Sequence, residues 1–215
     1  MTVVALIDGP LPETQAFCAL HPQAGQSPAA QHAGAIARAI RHNAPAARID
    51  SYAVFPGALT CSVRADCDAL HHAAQSEAQV NNCSFGIPRD APELTEAVAR
   101  VFARGKYIVA SAPARGGAVY PAMHDGVIAV QGDARCTPGT WSWLGLPHAL
   151  FGACAGSDGA IRGASLAAAH FTGHLARAIA EGREADMQRA AAFHGRERIL
   201  TKAGPAQAGP DTQGS

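Results

Sequence analysis

The chain has 215 residues, a hydrophobic share of 48% and, with 17 basic and 17 acidic side chains, no formal net charge. That length fits one domain, and a balanced charge without any basic block interleaved with aromatics argues against nucleic acid as a partner. Apolar runs stay short of the roughly 18 residues a spanning helix needs, so no membrane association is expected.

The segment Met1–Asp8 has neither the charged start nor the small-residue cleavage site of a secretory signal, which points to a cytoplasmic protein. Six cysteines are scattered without the Cys-x-x-Cys pairs of structural zinc sites, as reduced thiols would be. Cys61 and Cys67 are the best-placed pair were one disulfide to form.

In chain order, Thr2–Ile7 is a β-branched apolar run that stops at Asp8-Gly9-Pro10, a buried strand ending at a turn with a carboxylate on its C-terminal end. Residues 10–30, rich in Pro, Gln and Ala, are expected to form an irregular loop. Ile36 and Ile40 are spaced four apart and predict a helix over 33–42, with His32 at its mouth. A second strand is predicted over 47–55, a polar helix over 66–78 and a third strand over 79–85. Asp90-Ala91-Pro92-Glu93 has the form of a capping box, and Leu94, Val98, Val101 and Phe102 follow at helical spacing.

Two apolar runs, 107–112 and 127–130, read as buried parallel strands. Trp141 and Trp143 alternate across Ser142 as strand residues do, and would wall a peptide groove or pack in the core. No Asp, Glu, Lys or Arg occurs from Leu166 to Ala176, so a helix there is buried all round. The expected organisation is one domain over 1–202 with a Gly/Pro/Ala/Gln tail over 203–215. Strands alternating with helices predict an α/β, three-layer fold: a mostly parallel central sheet flanked by helices.

Three polar residues stand at the junctions of these elements: Asp8 ends the first strand, His32 opens a helix, and Ser165 opens the buried helix. In an open α/β sheet the crevice lies outside the carboxyl ends of the strands, where helices also begin, so all three can meet there. A serine hydroxyl needs a base to take its proton, and an imidazole needs a carboxylate to fix its tautomer and stabilise its charged form. Each residue alone has a plainer role as a turn former, a structural histidine or a helix cap.

Order and local context together resemble the subtilisin-like serine proteases, whose triad runs Asp, His, Ser. Val4-Ala5-Leu6-Ile7-Asp8-Gly9 is similar to the family's first-strand motif, and its Asp-Gly-Pro ending resembles the subtilases of cyanobactin-type peptide maturation. His32-Ala33-Gly34-Ala35-Ile36-Ala37 stands where the family has His-Gly-Thr-His-Val-Ala. Gly163-Ala164-Ser165-Leu166-Ala167-Ala168-Ala169-His170-Phe171-Thr172-Gly173 resembles Gly-Thr-Ser-Met-Ala-Ser-Pro-His-Val-Ala-Gly. Tyr120-Pro121 and Val127-Ile128-Ala129-Val130 resemble the stretch before it, and Asn82-Cys83-Ser84-Phe85-Gly86 is similar to the strand that pairs with substrate.

The resemblance implies Asp8, His32 and Ser165 as the triad of a serine endopeptidase. It implies a peptide laid on Ser84, Phe85 and Gly86, with a side-chain pocket beside Ala110, Ser111 and Ala112. Hydrolysis and acyl transfer both follow from such an acyl-enzyme, with no cofactor or metal. A peptide or protein substrate is expected, and proteins of a peptide-maturation pathway as possible partners.

The aligned stretch Ser111-Ala112-Pro113-Ala114-Arg115-Gly116 departs from the family's Ala-Ala-Gly-Asn. Ala114 replaces the asparagine whose amide completes the oxyanion hole, a loss of about 10² to 10³ in turnover when that donor is removed from subtilisin itself. Arg115, one residue on, is the candidate replacement donor. The alternative is a pseudoprotease, the same fold kept as a peptide-binding or complex-forming module. The adjacent His71-His72 point apart on a helix and read as a solvated face, whereas the i, i+4 pair His170/His174 lacks the Glu of a zinc-protease motif and reads as buried, hydrogen-bonded histidines.

Overall fold

The computed structural model describes residues 1–12, 27–55, 57–156 and 161–196. The expected tail over 203–215, most of the predicted 10–30 loop, and Cys18 lie outside these residues.

The first strand, β1 (Val3–Asp8), is buried along its whole length, as its apolar β-branched run predicts. Helix α1 (Pro28–Asn43) starts earlier than expected. Ser27 caps it, accepting from the Ala30 N–H, and Pro28 takes the first-turn position where its missing N–H is harmless. His32 therefore lies in the second turn of α1 and not at its mouth.

After β2 (Arg48–Ala53), α2 (Val63–Gln75) also begins ahead of the predicted start, because Ser62 accepts from the Ala65 N–H. β3 (Val80–Cys83) is shorter than the predicted 79–85. α3 (Pro92–Phe102) is where the periodicity put it, but its cap is Ala91, which makes no side-chain cap bond. Asp90 stands one residue too early, its carboxylate accepting instead from the Ala91 N–H, Thr95 and His124.

β4 (Tyr107–Ser111) and β5 (Ile128–Gly132) follow, then an antiparallel hairpin of β6 (Trp141–Leu146) and β7 (Ala149–Ala153). α4 (Ala164–Ala180) is the buried helix, and β8 (Phe193–His194) adds to the edge.

The described strands form one eight-stranded sheet in the order β2-β1-β3-β4-β5-β7-β6-β8, parallel except at the β6–β7 pair. Alternation along β1 divides the core: Val3, Ala5 and Ile7 pack with residues of α2 and α3, whereas Val4 and Leu6 pack with α1 and α4. The result is helix, sheet, helix. All five described cysteines are free thiols, so Cys61 and Cys67 do not pair.

The small-residue content has its use where α1 crosses α4. A Cβ added at Gly173 would sit 2.5 Å from the Ile40 carbonyl oxygen and 2.9 Å from the Asn43 Cβ, so only glycine permits this approach. The crossing presses α4 against the sheet and fixes where its N-terminus emerges. No described helix is long and apolar enough to span a membrane.

Candidate active site

The chain enters the sheet at β1, steps to β2 on one side and then to β3 on the other, so the strand order reverses between β1 and β3. A crevice opens at the carboxyl ends of strands at such a switch point. Asp8 ends β1 here, and Ser84, Phe85 and Gly86 continue from β3 beyond the end of its ladder.

Asp8 is fully buried, and its Oδ1 accepts from His32 Nδ1 at 2.9 Å and from the Gly9 N–H at 2.6 Å. Two donors on one oxygen hold the carboxylate still and place the proton of a neutral His32 on Nδ1, leaving Nε2 as the basic atom. Burial by itself would lower the imidazole's pKa, but the hydrogen bond and charge of Asp8 outweigh it and hold the value above 6.5. The pair is thus built to stabilise an imidazolium.

Ser165 is the second residue of α4, behind an N-cap Gly163 whose φ of 115° is open to glycine and strained for other residues. The serine is not the cap itself, so its hydroxyl is free for another partner. Seven residues on, on the same helix face, Thr172 donates to Asn82 Oδ1 at 2.8 Å, and Asn82 Nδ2 donates to Ser84 Oγ at 2.7 Å. This buried chain ties α4 to β3 and sets Ser165 beside Ser84. Ser165 Oγ donates to the Ser84 carbonyl oxygen at 3.2 Å.

His32, Ser84, Phe85, Gly86 and Ser165 line one cleft of about 460 Å³, walled also by Phe55, Leu59, Cys61 and Val63. Ala112, Ala114 and Arg115 line a second cleft of about 380 Å³ with Val119, Met123 and His148. The two adjoin where a Cβ on Gly86 would come within 3.0 Å of Val119 and where Ser111 Oγ donates to the Phe85 carbonyl at 3.3 Å. Ala114 and Arg115 are exposed, and Arg115 makes no hydrogen bond to another described residue. Ala110 is fully buried in the sheet and lines neither cleft, so it does not join the other candidates.

The tryptophans stand elsewhere. Trp141 Nε1 donates to the Met187 carbonyl, and its ring packs 4.6 Å from that of His174, while Trp143 meets Phe151 edge-on at 5.0 Å. Their indoles pack on the α4-side core and line neither cleft. His170 and His174 are separately engaged, the first accepting from Asn43 Nδ2 and the second donating to the Pro138 carbonyl.

The sequence did not single out Phe55, Leu59, Cys61 and Val63 as cleft wall. They come from the segment just beyond β2, the loop before α2 and the first residue of α2, and no local motif marks them. In sequence, a neighbouring residue, Asp66, marks only the expected start of a polar helix. It is fully buried, and Cys61 Sγ donates to its two oxygens at 3.1 and 3.2 Å.

A mostly parallel sheet of this order between two helix pairs is the subtilisin-like α/β fold. Among solved structures, the chain is similar to the prenylagaramide maturation protease PagA, with 20% identity, a TM-score of 0.61, and 84% of this chain and 78% of that one covered. It is also similar to the S218A mutant of the protease domain of PatA, with 19% identity, a TM-score of 0.63, and 87% and 84% coverage. No family model matches the chain, and no curated protein sequence does.

Proposed function

We propose that this chain is a serine endopeptidase of the subtilisin type, acting on a peptide in the maturation of a ribosomally made product. The observation that carries the reading is the 2.9 Å bond from His32 Nδ1 to the buried Asp8, in a cleft that His32 shares with Ser165. The similarity to a maturation protease and to a second protease domain supports the class of substrate. We assign the reaction to the cytoplasm, in keeping with the free thiols.

The peptide adds as a strand along Ser84–Gly86, its backbone N–H groups pairing with carbonyls there. The Ser84 carbonyl now holds the Ser165 hydroxyl, and a substrate N–H that takes this acceptor frees the hydroxyl to turn to His32 Nε2. His32 accepts the proton as Ser165 Oγ bonds to the scissile carbonyl carbon, while Asp8 stabilises the imidazolium. The carbonyl oxygen, now negative, faces the Ser165 N–H at the positive end of α4. Arg115 is the proposed second donor in place of the amide that Ala114 lacks.

As the tetrahedral species collapses, the C–N bond breaks and His32 gives its proton to the departing amine. Water then releases the acid, or a second amine takes the acyl group.

A second reading, a peptide-binding pseudoprotease, is favoured by Ala114 and by a Ser165 hydroxyl bonded to Ser84 and not to His32. Labelling with a fluorophosphonate separates the two, with Ser165→Ala as control. The protease reading expects a label that maps to Ser165; absence of Ser165-dependent labelling at millimolar reagent overturns it.

A further inference from the structure

The cleft has one charged feature that the proposed chemistry does not use. Asp66 sits in the first turn of α2 with no exposed surface, behind Cys61, which is partly exposed and lines the cleft. Its hydrogen bonds from described side chains are the two from the Cys61 thiol, a weak donor. No cation of the described chain acts on it: burial raises its pKa from 3.8 to about 6, opposed only by the Cys61 bond.

At neutral pH the side chain is thus largely ionised, and a buried carboxylate is unfavourable unless strong donors or a counter-charge meet it. The N-terminus of α2 offsets part of that cost. Pinning the loop to the helix does not explain the acid, since a neutral amide or hydroxyl at 66 would accept the same thiol bond without burying a charge.

The cleft that Cys61 lines has a largely apolar wall, where Phe55, Leu59 and Val63 stand with Thr60. A largely apolar wall beside an anion that no described cation neutralises matches one kind of side chain, a long aliphatic stem with a cationic head. We propose that Asp66 is a specificity-determining residue: with the Cys61 thiol turned aside about χ1, its carboxylate receives the ammonium or guanidinium of a lysine or arginine of the bound peptide. This rests on the protease reading for the peptide nature of the ligand. Cys61 is then a cover that shields the charge while the cleft is empty.

The test measures binding apart from turnover. Fluorescein-labelled hexapeptide pools, each with one position fixed as Lys, Arg, Ala, Leu or Glu, are titrated by fluorescence anisotropy into the Ser165→Ala protein. At one position the Lys and Arg pools should bind at least tenfold more tightly than the Ala pool. Asp66→Asn in the same background should bring that ratio to within twofold of one. Cys61→Ala, which uncovers the carboxylate, should raise it.

Equal binding of all pools, a preference that survives Asp66→Asn, or a preference lost in Cys61→Ala overturns the proposal. Thermal melts by circular dichroism verify that each variant is folded. Fluorophosphonate labelling of the unsubstituted protein, run in parallel, decides the protease reading on its own.

Discussion

Acidification from pH 6.5 to 5 should weaken the folded state through two histidines of α4. His170 and His174 are 4% and 1% exposed, and burial pushes each imidazole from 6.5 down to about 4, with the charge of Arg177 adding to the effect at His174. In the unfolded chain both take up protons below pH 6.5, whereas in the folded chain they stay neutral until about pH 4. The unfolded state therefore binds more protons across this window, and stability falls with falling pH.

At about 1.4 kcal/mol per pH unit, each histidine withdraws about 2 kcal/mol by pH 5. Asp66 acts in the opposite sense. Its folded pKa of about 6 lies above the unfolded value of 3.8, so the folded state binds its proton first and gains about 1.4 kcal/mol between pH 6 and 5. His32 is charged in both states below pH 6.5, because Asp8 holds its folded value above that, and adds nothing in this window.

The net loss is about 2–3 kcal/mol. Urea unfolding followed by circular dichroism at the two pH values measures it. In Asp66→Asn the compensation disappears, and the loss should deepen by up to about 1 kcal/mol. An unfolding midpoint that does not move between pH 6.5 and 5, or a loss that is smaller in Asp66→Asn, refutes the reasoning.

Asp8→Asn should lower turnover of a cleaved peptide by about 10³- to 10⁴-fold with the protein still folded, because an amide cannot stabilise the imidazolium; a tenfold loss or less counts against Asp8 as its partner. Arg115→Ala should reduce turnover about tenfold or more if its guanidinium serves the oxyanion, and undiminished turnover removes it from that role. Gly173→Ala drives a Cβ against the Ile40 carbonyl and should destabilise the fold by about 1–3 kcal/mol. A thermal midpoint within about 2 °C of the parent would mean that α1 and α4 are not held at this distance.

The parts of the fold that follow from strong local signals were legible. β1, α3 and α4 come from an uninterrupted β-branched run, a 3.6-residue apolar period and a chargeless small-residue stretch, and each lies within a few residues of its expected place. α1 starts ahead of its expected place because the Ser27-Pro28 cap sits inside a Pro-, Gln- and Ala-rich stretch that masks it. β7, Ala-Leu-Phe-Gly-Ala, has no β-branched residue and no alternation, and becomes a strand through pairing with β5 and β6. Asp8, His32, Ser84 and Ser165 were readable because each has a motif around it. Cys61 and Asp66 were not, since their chemistry arises only when the loop before α2 folds over a buried acid.

The most direct test of the account is peptide-bond cleavage itself. A diverse synthetic peptide mixture is incubated with the protein and with its Ser165→Ala form, and new termini are identified by mass spectrometry. Cleavage products should require Ser165 and be strongly reduced in His32→Ala. Identical product spectra from the parent and Ser165→Ala proteins would contradict it and leave a peptide-binding module as the remaining reading.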